Sequence, residues 1–558
     1  MTSFSDFSPS DTKSRQVAPR EEIAVIGGGL GGCLAALMLI KKGYHVTLIE
    51  KQDMLLNGAS AIASRLHLGG EYPLDVPEMT TAKNCLSSAI SWKLLMPDTI
   101  YTPTPPMKFL IAKGTEQEAK LTLSKYRDFY QKIRDEYEKK FREVKDALKW
   151  DFKKTEDALF GSFNLNEFRR LMMDEKEYEG VVGGLQTQER GLNVPKYLTM
   201  IEGELKAQEQ AGNLTILTGH TVIKEGIRGE KGHFQIHCSI PAGQGKTTEK
   251  IIESSQVVQA AWQGGPEILP LLEEAAKNET IVTVYKRGMI LVDLPKGWKT
   301  PPAFIMEGKY GGMLSPYNDK TAICYLPMEE GGGQYKQHEL TTKNPSLPGN
   351  WELSKKELDA WKTKYFEMLK ERFKPLLDHA TNPRLIVRDT LNFQKVVHER
   401  KQQHVTEQRV PIPKQGVTAE VSAKQKVEWV QRREAFIVPP AWKVKEGLFN
   451  LVPTKGTYSV TGAIQAAQMV AARTQYPDSG PLLSPGDILP DVLENREKYS
   501  LKHMQEPTKE AIEDFCNRHP PLNSLMAEQS WPGYKESWLD KVRQDPLGLG
   551  SSAGYRQT

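Results

Sequence analysis

The segment Ile23–Glu50, IAVIGGGLGGCLAALMLIKKGYHVTLIE, decides the fold of this chain. Its apolar start, Ile23–Ile26, predicts a buried parallel strand, and the apolar stretches Cys33–Ile40 and Val46–Ile49 predict a helix and a second strand. Three glycines in the pattern GxGxxG separate the first strand from the helix. This order of strand, glycine-rich turn, helix and strand is typical of a βαβ unit that binds a dinucleotide.

Each glycine of this motif, and the acidic residue that follows it, has a physical role. Gly27 permits the tight turn, Gly29 lets the backbone approach a pyrophosphate, and Gly32 allows close packing of helix on strand. Glu50 ends the second strand, where a carboxylate accepts hydrogen bonds from ribose hydroxyls. We therefore expect that this glycine turn binds a dinucleotide and is not merely a structural turn.

Composition restricts the partners of the protein. The chain has 558 residues, of which 74 are Lys or Arg and 70 are Asp or Glu, so the net charge is only +4. That charge is too small for a general nucleic-acid or membrane surface, and no apolar run approaches the length of a membrane span. Five widely spaced cysteines without a CxxC motif predict neither a disulfide framework nor a metal site, and favour a reducing, cytoplasmic location. Residues 1–20 lack the apolar core of a secretory signal and are interpreted as a flexible leader.

A loop rich in small residues follows the βαβ unit. Residues 57–74, NGASAIASRLHLGGEYPL, suit a chain that wraps a cofactor, because small side chains leave backbone donors accessible. Arg65, His67 and Tyr72 are the polar groups that would face the reactive end of that cofactor. A surface turn is the alternative, since sequence does not give the direction of either Arg65 or His67.

The middle of the chain contains further periodic segments. Residues 115–150 predict one long amphipathic helix, interpreted as core or as a cover over the substrate cavity, with a partner-binding helix as the alternative. A second helix is expected over 191–210 with Pro195 in its first turn, followed by a strand at 214–217 and a hairpin near 229–238. The run GQGKTT at 243–248 is interpreted as a hairpin tip, because Ile240 stands where a phosphate loop needs its first glycine.

Two later segments complete the pattern. Residues 256–265, QVVQAAWQGG, predict a buried strand that ends in small residues, as is needed where the backbone passes close to a ligand. Residues 447–472, GLFNLVPTKGTYSVTGAIQAAQMVAA, predict a short strand, a PTKGT turn and a helix whose amino end faces a negatively charged or polarised group.

Together these motifs resemble the FAD-dependent oxidoreductases of the D-amino-acid oxidase (DAO) superfamily over about residues 22–475. The resemblance implies an α/β fold, with a Rossmann-like FAD-binding domain built from discontinuous segments and a mixed-sheet α+β substrate domain. The FAD-binding domain would comprise residues 21–100, 180–265 and 435–478, and the substrate or cap domain residues 101–179 and 266–434. Residues 479–558 would form a polar, loosely packed carboxy-terminal extension.

The same resemblance assigns cofactor contacts residue by residue. Gly27, Gly29 and Gly32 would bind the pyrophosphate, Glu50 the adenosine ribose, and Lys51 the region beside the adenine. The remaining contacts would come from later segments: Ser60 to phosphate, Val222 to adenine through its backbone, Ala260 and Ala261 along the cofactor, and Lys455, Gly456 and Thr457 at the pyrimidine side of the flavin.

The chemistry expected at the flavin is hydride transfer from a carbon that bears nitrogen or oxygen. His67 is the first candidate for a base and His398 the second, while Arg65 would fix a carboxylate or phosphate of the substrate. Arg388 is an alternative anion clamp, although a solvated charged segment explains both Arg388 and His398 without any such role.

Three functional classes follow from the sequence. The first is an FAD oxidoreductase that acts on a small amine, amino acid or hydroxy compound, with oxygen, a quinone or a protein as electron acceptor. The second is a flavin monooxygenase, against which stands the absence of a second dinucleotide fingerprint from the sequence. The third is a non-catalytic FAD-binding protein that engages a partner.

Overall fold

The structure of the chain is a computed structural model. It describes residues 20–57, 63–67, 80–100, 108–112, 181–186, 190–243, 246–261, 280–293, 304–306, 312–317, 321–325, 336–341, 347–364, 381–403, 426–435, 441–453, 456–472 and 485–519, together with positions 128, 132, 135 and 139.

The described helices and strands are numbered in chain order. The α-helices are α1 (Leu30–Lys41), α2 (Thr80–Leu95), α3 (Val194–Gln210), α4 (Ser459–Ala471), α5 (Pro485–Glu494), α6 (Arg496–Tyr499) and α7 (Lys509–Arg518). The strands of the first half are β1 (Glu22–Ile26), β2 (His45–Ile49), β3 (Arg65–Leu66), β4 (Lys108–Ala112), β5 (Val181–Gln186), β6 (Arg190–Gly191), β7 (Leu214–Leu217), β8 (Thr221–Glu230), β9 (His233–Pro241), β10 (Thr247–Ser254) and β11 (Gln256–Gln259). Those of the second half are β12 (Thr280–Asp293), β13 (Phe304–Met306), β14 (Gly312–Pro316), β15 (Thr321–Tyr325), β16 (Lys336–Leu340), β17 (Thr381–Gln403), β18 (Lys426–Ala435), β19 (Ala441–Lys445) and β20 (Leu448–Leu451).

The first sheet has six strands in the order β19-β20-β11-β1-β2-β7. Its five strands from β20 to β7 are parallel, and only the edge strand β19 is antiparallel. The central strands are buried on both faces, which explains the apolar run of β1; β11 also buries two glutamines, Gln256 and Gln259. The predicted βαβ unit and the strand that begins at residue 256 are confirmed as β1-α1-β2 and β11.

Two layers cover this sheet. Val25, Leu48 and Val258 pack on one face against α1, α3 and α4. On the other face, Ile26 and Val257 pack against the three-stranded antiparallel sheet β8-β9-β10. The β9-β10 connection is closed by the Ala242 N–H, which donates to the Lys246 carbonyl, so the GQGKTT run lies at a hairpin tip as predicted.

The second sheet carries β12, β17 and their neighbours. Its path is β18-β17-β12-β15-β14-β13-β4-β5, and β16 also pairs with β12. The sheet is mixed, because β4 and β13 run parallel while the other pairs are antiparallel. β5 pairs with β4 in this sheet, so the predicted domain boundary at residue 180 falls too early in the chain.

The carboxy-terminal extension differs from its prediction. Ile488, Leu489 and Val492 of α5 and Phe515 of α7 are buried in the same core as α1 and α2. The helices α5 and α7 are therefore packed into the core beside α1 and α2 rather than loosely packed. Ile488, Leu489 and Val492 are spaced by one, three and four residues, as on the buried face of an amphipathic helix. This spacing could have indicated a packed helix from the sequence.

Several predictions fall largely outside the described residues. In the predicted helix 115–150 the structure describes four positions, Asp128, Lys132, Asp135 and Lys139, all helical and exposed. Residues 1–19 and 520–558 are also outside the described part. Within the part that is described, no helix is both long and apolar enough to cross a membrane.

Candidate cofactor and substrate site

The glycine-rich turn Gly27–Gly32 after β1, the glycine cradle, is packed too closely for a side chain at Gly27 and Gly32. Gly27 has a φ of +106°, and a Cβ on it would lie 2.6 Å from the Ala260 carbonyl oxygen. A Cβ on Gly32 would lie 1.9 Å from the Gly27 carbonyl oxygen. α1 begins after Gly29 without a side-chain cap and without an acidic residue in its first turn. The positive end of the helix dipole is thus left to an anionic ligand, as a pyrophosphate site requires.

Glu50 is fixed at the end of β2. Its Oε2 accepts a hydrogen bond from the Gly28 N–H at 2.6 Å, and its Oε1 accepts one from the Gln52 N–H at 2.9 Å. Its backbone carbonyl accepts from the His220 N–H at 2.9 Å. Each carboxylate oxygen retains a second lone pair, so this side chain keeps the capacity to accept from a ribose hydroxyl.

The Cys33 thiol lies in the first turn of α1 and does not add a charge to the cradle. It donates to the Gly28 carbonyl oxygen with a sulfur-to-oxygen distance of 3.3 Å. Burial raises the pKa of the Cys33 thiol, and the negative charges of Glu50 and Glu202 raise it further. The group therefore remains a neutral thiol.

The proposed cofactor residues from separate parts of the chain meet at one edge of the first sheet. Gly27, Glu50 and Ala260 follow the carboxyl ends of β1, β2 and β11, and Gly456 lies five residues after β20. In open parallel sheets this edge is where ligands bind. Pro453 packs near Gly31 of α1, which joins the β20–α4 segment to the glycine turn.

A second group of residues lies at the start of α4. The Thr457 hydroxyl accepts from the His67 N–H at 3.1 Å and lies 3.3 Å from the Arg65 carbonyl oxygen, to which it donates. One Nη of Arg65 lies 3.3 Å from both ring nitrogens of His67. The two residues predicted from the small-residue loop are thus brought together, and a buried threonine joins them to the predicted flavin-side turn.

Neighbouring contacts hold this group in place. Gly456 packs tightly on Ala63, where a Cβ would meet the Ala63 Cβ at 2.6 Å, and the Tyr197 hydroxyl donates to the Ala63 carbonyl oxygen at 3.2 Å. Ser88 of α2 lies 3.0 Å from the Thr461 hydroxyl of α4. The sequence analysis did not single out these supporting residues, although the polar positions 84, 87, 88 and 91 follow helical spacing along α2.

The other predicted site residues have varied positions. Lys51 is exposed beside Glu50, Val222 lies in β8 opposite Cys238, and Ala261 follows Ala260. His398 lies in β17 opposite Gln431, beyond the last pairing of β17 with β12, and its side chain is outside the described part. Arg388 lies opposite Arg287 in β12, and its side chain is outside the described part. Ser60, Tyr72 and Lys455 are also outside the described residues.

Comparison with known proteins gives a family match over more than half of the chain. The model of the DAO family, described as FAD dependent oxidoreductase, matches residues 22–325. Among curated proteins, 34 residues are 62% identical to 4,4'-diapolycopen-4-al dehydrogenase of Metabacillus indicus, and 59 residues are 39% identical to the FAD-dependent monooxygenase kojA of Aspergillus flavus. These matches cover 6% and 10% of this chain, and only 7% and 14% of the respective relatives.

Solved structures with a similar fold have low sequence identity. Glycine oxidase from Bacillus cereus is 12% identical with a TM-score of 0.47, and the match covers 82% of this chain and 98% of that one. The L-alpha-glycerophosphate oxidase from Mycoplasma pneumoniae, solved with FAD bound, is 13% identical with a TM-score of 0.44, over 84% of this chain and 98% of that one.

The geometry agrees with the family match. The tight turn at Gly27 and Gly32, the uncapped start of α1 and the Glu50 carboxylate at the end of β2 agree with the pyrophosphate and ribose contacts of a dinucleotide. The family uses FAD, which contains both a pyrophosphate and a ribose. The chain belongs to the DAO family of FAD-dependent oxidoreductases.

Proposed function

We propose that the protein oxidises a small amine, amino acid or hydroxy compound, with Arg65 and His67 on the substrate side of the flavin. The observation that carries this proposal is the Arg65–His67 pair, whose backbone is hydrogen-bonded to Thr457 at the turn before α4. FAD, when bound, supplies the acceptor of the hydride equivalent.

The cofactor would be held by residues from four strand ends. We assign the pyrophosphate to Gly27, Gly29 and Gly32, and the ribose to Glu50. The further contacts are those expected from the family resemblance: Lys51, Ser60, Val222, Ala260, Ala261, Lys455, Gly456 and Thr457.

His67 and Arg65 would have different roles, one in proton transfer and the other in substrate binding. His67 would accept a proton from a substrate hydroxyl or ammonium, because a ring nitrogen of a neutral imidazole can act as a general base. Arg65 donates in a planar fork that matches a carboxylate or phosphate, so it would orient the substrate. His398 stays the second candidate for the base.

The test is an anaerobic titration of the FAD-loaded protein with amino acids, amines, hydroxy acids and glycerol phosphates, followed by flavin absorbance. We expect one class to bleach the flavin. In His67→Asn the bleaching rate should fall about 100-fold, the loss typical for a general base, with FAD content unchanged. His503→Asn is the matched control, because His503 is half-exposed on the surface beside Glu204.

The same titration separates the alternatives. Bleaching by NADPH instead of by any substrate class would indicate a flavin monooxygenase. NADPH is included in the titration because 59 residues of the chain are similar to the monooxygenase kojA. Bound flavin that neither substrates nor NADPH reduce would support a non-catalytic FAD-binding protein. Equal rates for His67→Asn and wild type would refute the assigned role of His67.

A further inference from the structure

The carboxy-terminal segment contacts the loop after β2, which adjoins the proposed cofactor site, through one buried histidine. His519 directly follows α7 and is fully buried. Its Nδ1 lies 2.7 Å from the Phe515 carbonyl oxygen, and its Nε2 lies 3.0 Å from the Leu55 carbonyl oxygen. The ring also stacks on Phe515 with a centroid distance of 3.7 Å. Residues 464 positions apart in sequence are thus joined by one side chain.

The loop that receives this contact adjoins the glycine cradle. Leu55 packs so closely on Gly28 that a Cβ there would lie 2.4 Å from the Leu55 Cδ2. The next residue, Leu56, has a φ of +60° and donates from its N–H to the Gly28 carbonyl oxygen at 2.7 Å. A left-handed leucine is strained, so surrounding contacts must hold it in that conformation. The same loop begins at Glu50, the proposed ribose ligand.

Helix α7, which directly precedes His519, is packed against the core and against α3. Phe515 is fully buried in the main core, and Arg518 makes a two-pronged contact with Glu202 of α3 at 2.9 and 2.8 Å. These two contacts hold α7 against the core and α3, and they place the His519 ring beside the Leu55 carbonyl.

We propose that His519 is a positioning residue for the cofactor: its Nε2–H holds the Leu55 carbonyl, and through it the loop that shapes the Gly28–Glu50 side of the FAD site. This proposal rests on the placement of FAD at Gly27–Glu50 given above. It makes docking of α7 and binding of FAD mutually dependent, because each ligand of a coupled pair strengthens the other by the same factor.

Two amide substitutions separate the two ring nitrogens. Glutamine places its amide nitrogen as many bonds from Cα as Nε2, and asparagine places it as many bonds away as Nδ1. A neutral imidazole donates from one ring nitrogen only, and the proposal places that hydrogen on Nε2. His519→Gln should therefore keep a donor at the Leu55 carbonyl, whereas the shorter His519→Asn side chain brings its amide nitrogen only to the Phe515 carbonyl. We expect the FAD dissociation constant, measured by flavin fluorescence on apoprotein, to rise about tenfold in His519→Asn and less than threefold in His519→Gln.

Both variants lose the same stacking on Phe515, so a general loss of packing would affect them equally. Equal FAD affinities for the two variants, whether unchanged or equally weakened, would overturn the role of Nε2. Should either variant fail to fold, hydrogen exchange of the wild-type protein decides instead, since FAD must slow exchange of the α7 amides. Unchanged exchange in α7 with FAD bound would overturn the coupling. Absence of FAD binding by the wild type would instead refute the cofactor site itself.

Discussion

Gly32 is the residue whose substitution the structure forbids most directly. A Cβ at this position would lie 1.9 Å from the Gly27 carbonyl oxygen, which is a backbone atom. We expect Gly32→Ala to lower the free energy of unfolding by about 3 kcal/mol or more, because overpacking against backbone has no flexible neighbour to relieve it. Urea unfolding of the apoprotein measures this loss without the cofactor.

Gly203→Ala is the matched control for Gly32→Ala. Gly203 lies inside α3, and a Cβ there meets no atom within 4 Å. Alanine is favoured over glycine in a helix interior by about 1 kcal/mol, so this variant should be more stable than wild type. Similar effects at the two positions would mean that helix propensity, not the close approach to β1, determines the cost.

Glu50 tests the ribose assignment at a single side chain. Glu50→Gln keeps one carbonyl acceptor but loses the charge that strengthens hydrogen bonds from hydroxyls. We expect the FAD dissociation constant to rise about tenfold, measured by fluorescence titration. Asp53→Asn removes the same charge from an exposed position in the same loop and should leave the affinity unchanged. A matched loss in both variants would point to long-range charge rather than to a contact.

At the scale of elements, the sequence predicted local structure better than long-range contacts. The apolar runs of β1, α1 and β2 are local signals, and Pro195 at the start of α3 lies where helices tolerate proline. No local pattern tells that Thr457 meets His67 across 390 positions, or that α7 returns to Leu55. Those contacts depend on the tertiary packing of α4 and α7, which the residues of each segment do not encode separately.

Strand β12 of the second sheet carries a buried cation. Lys286 is 4% exposed, its Nζ lies 2.9 Å from the Asp389 carboxylate, and the Trp351 indole N–H donates to the same carboxylate at 3.2 Å. Lys286→Met leaves the largely buried Asp389 without its counter-charge, so we expect a loss of about 3–5 kcal/mol in urea unfolding. Adding Asp389→Asn to that variant should recover part of the loss. A double variant less stable than the single one would show that the ion pair is not the reason.

Helix α7 predicts a pH dependence through Glu202 on α3. Burial tends to raise the pKa of Glu202, but hydrogen bonds from Arg518 and Lys206 outweigh it and hold the pKa below 4.5. A depressed pKa means that the folded state gains stability above pH 4.5 and loses it as pH falls through the lower folded value. Unfolding free energies measured from about pH 5.5 to 3.5 should fall more steeply for wild type than for Glu202→Gln. Parallel curves would exclude a contribution from this pair.

At the scale of the whole molecule, the proposed FAD site joins segments that are far apart in the chain. The turn after β1, the end of β2, the end of β11 and the start of α4 meet at one sheet edge, so a single ligand there links them all. FAD at a free concentration of about 100 times its dissociation constant should add about 2.7 kcal/mol to the free energy of unfolding.

Hydrogen exchange distinguishes a ligand that spans this edge from one that occupies only the βαβ unit. We expect FAD to slow amide exchange at Gly28, Ala260 and Thr457 together, because all three segments lie at the same edge. The β9-β10 hairpin tip near Ala242 lies outside that edge and should be unchanged, which makes it an internal control. Slower exchange confined to residues 27–50 would leave the dinucleotide motif intact but refute the assignment of Gly456 and Thr457. Since Arg65 and His67 are placed by Thr457, that result would also remove the structural basis for their role in catalysis.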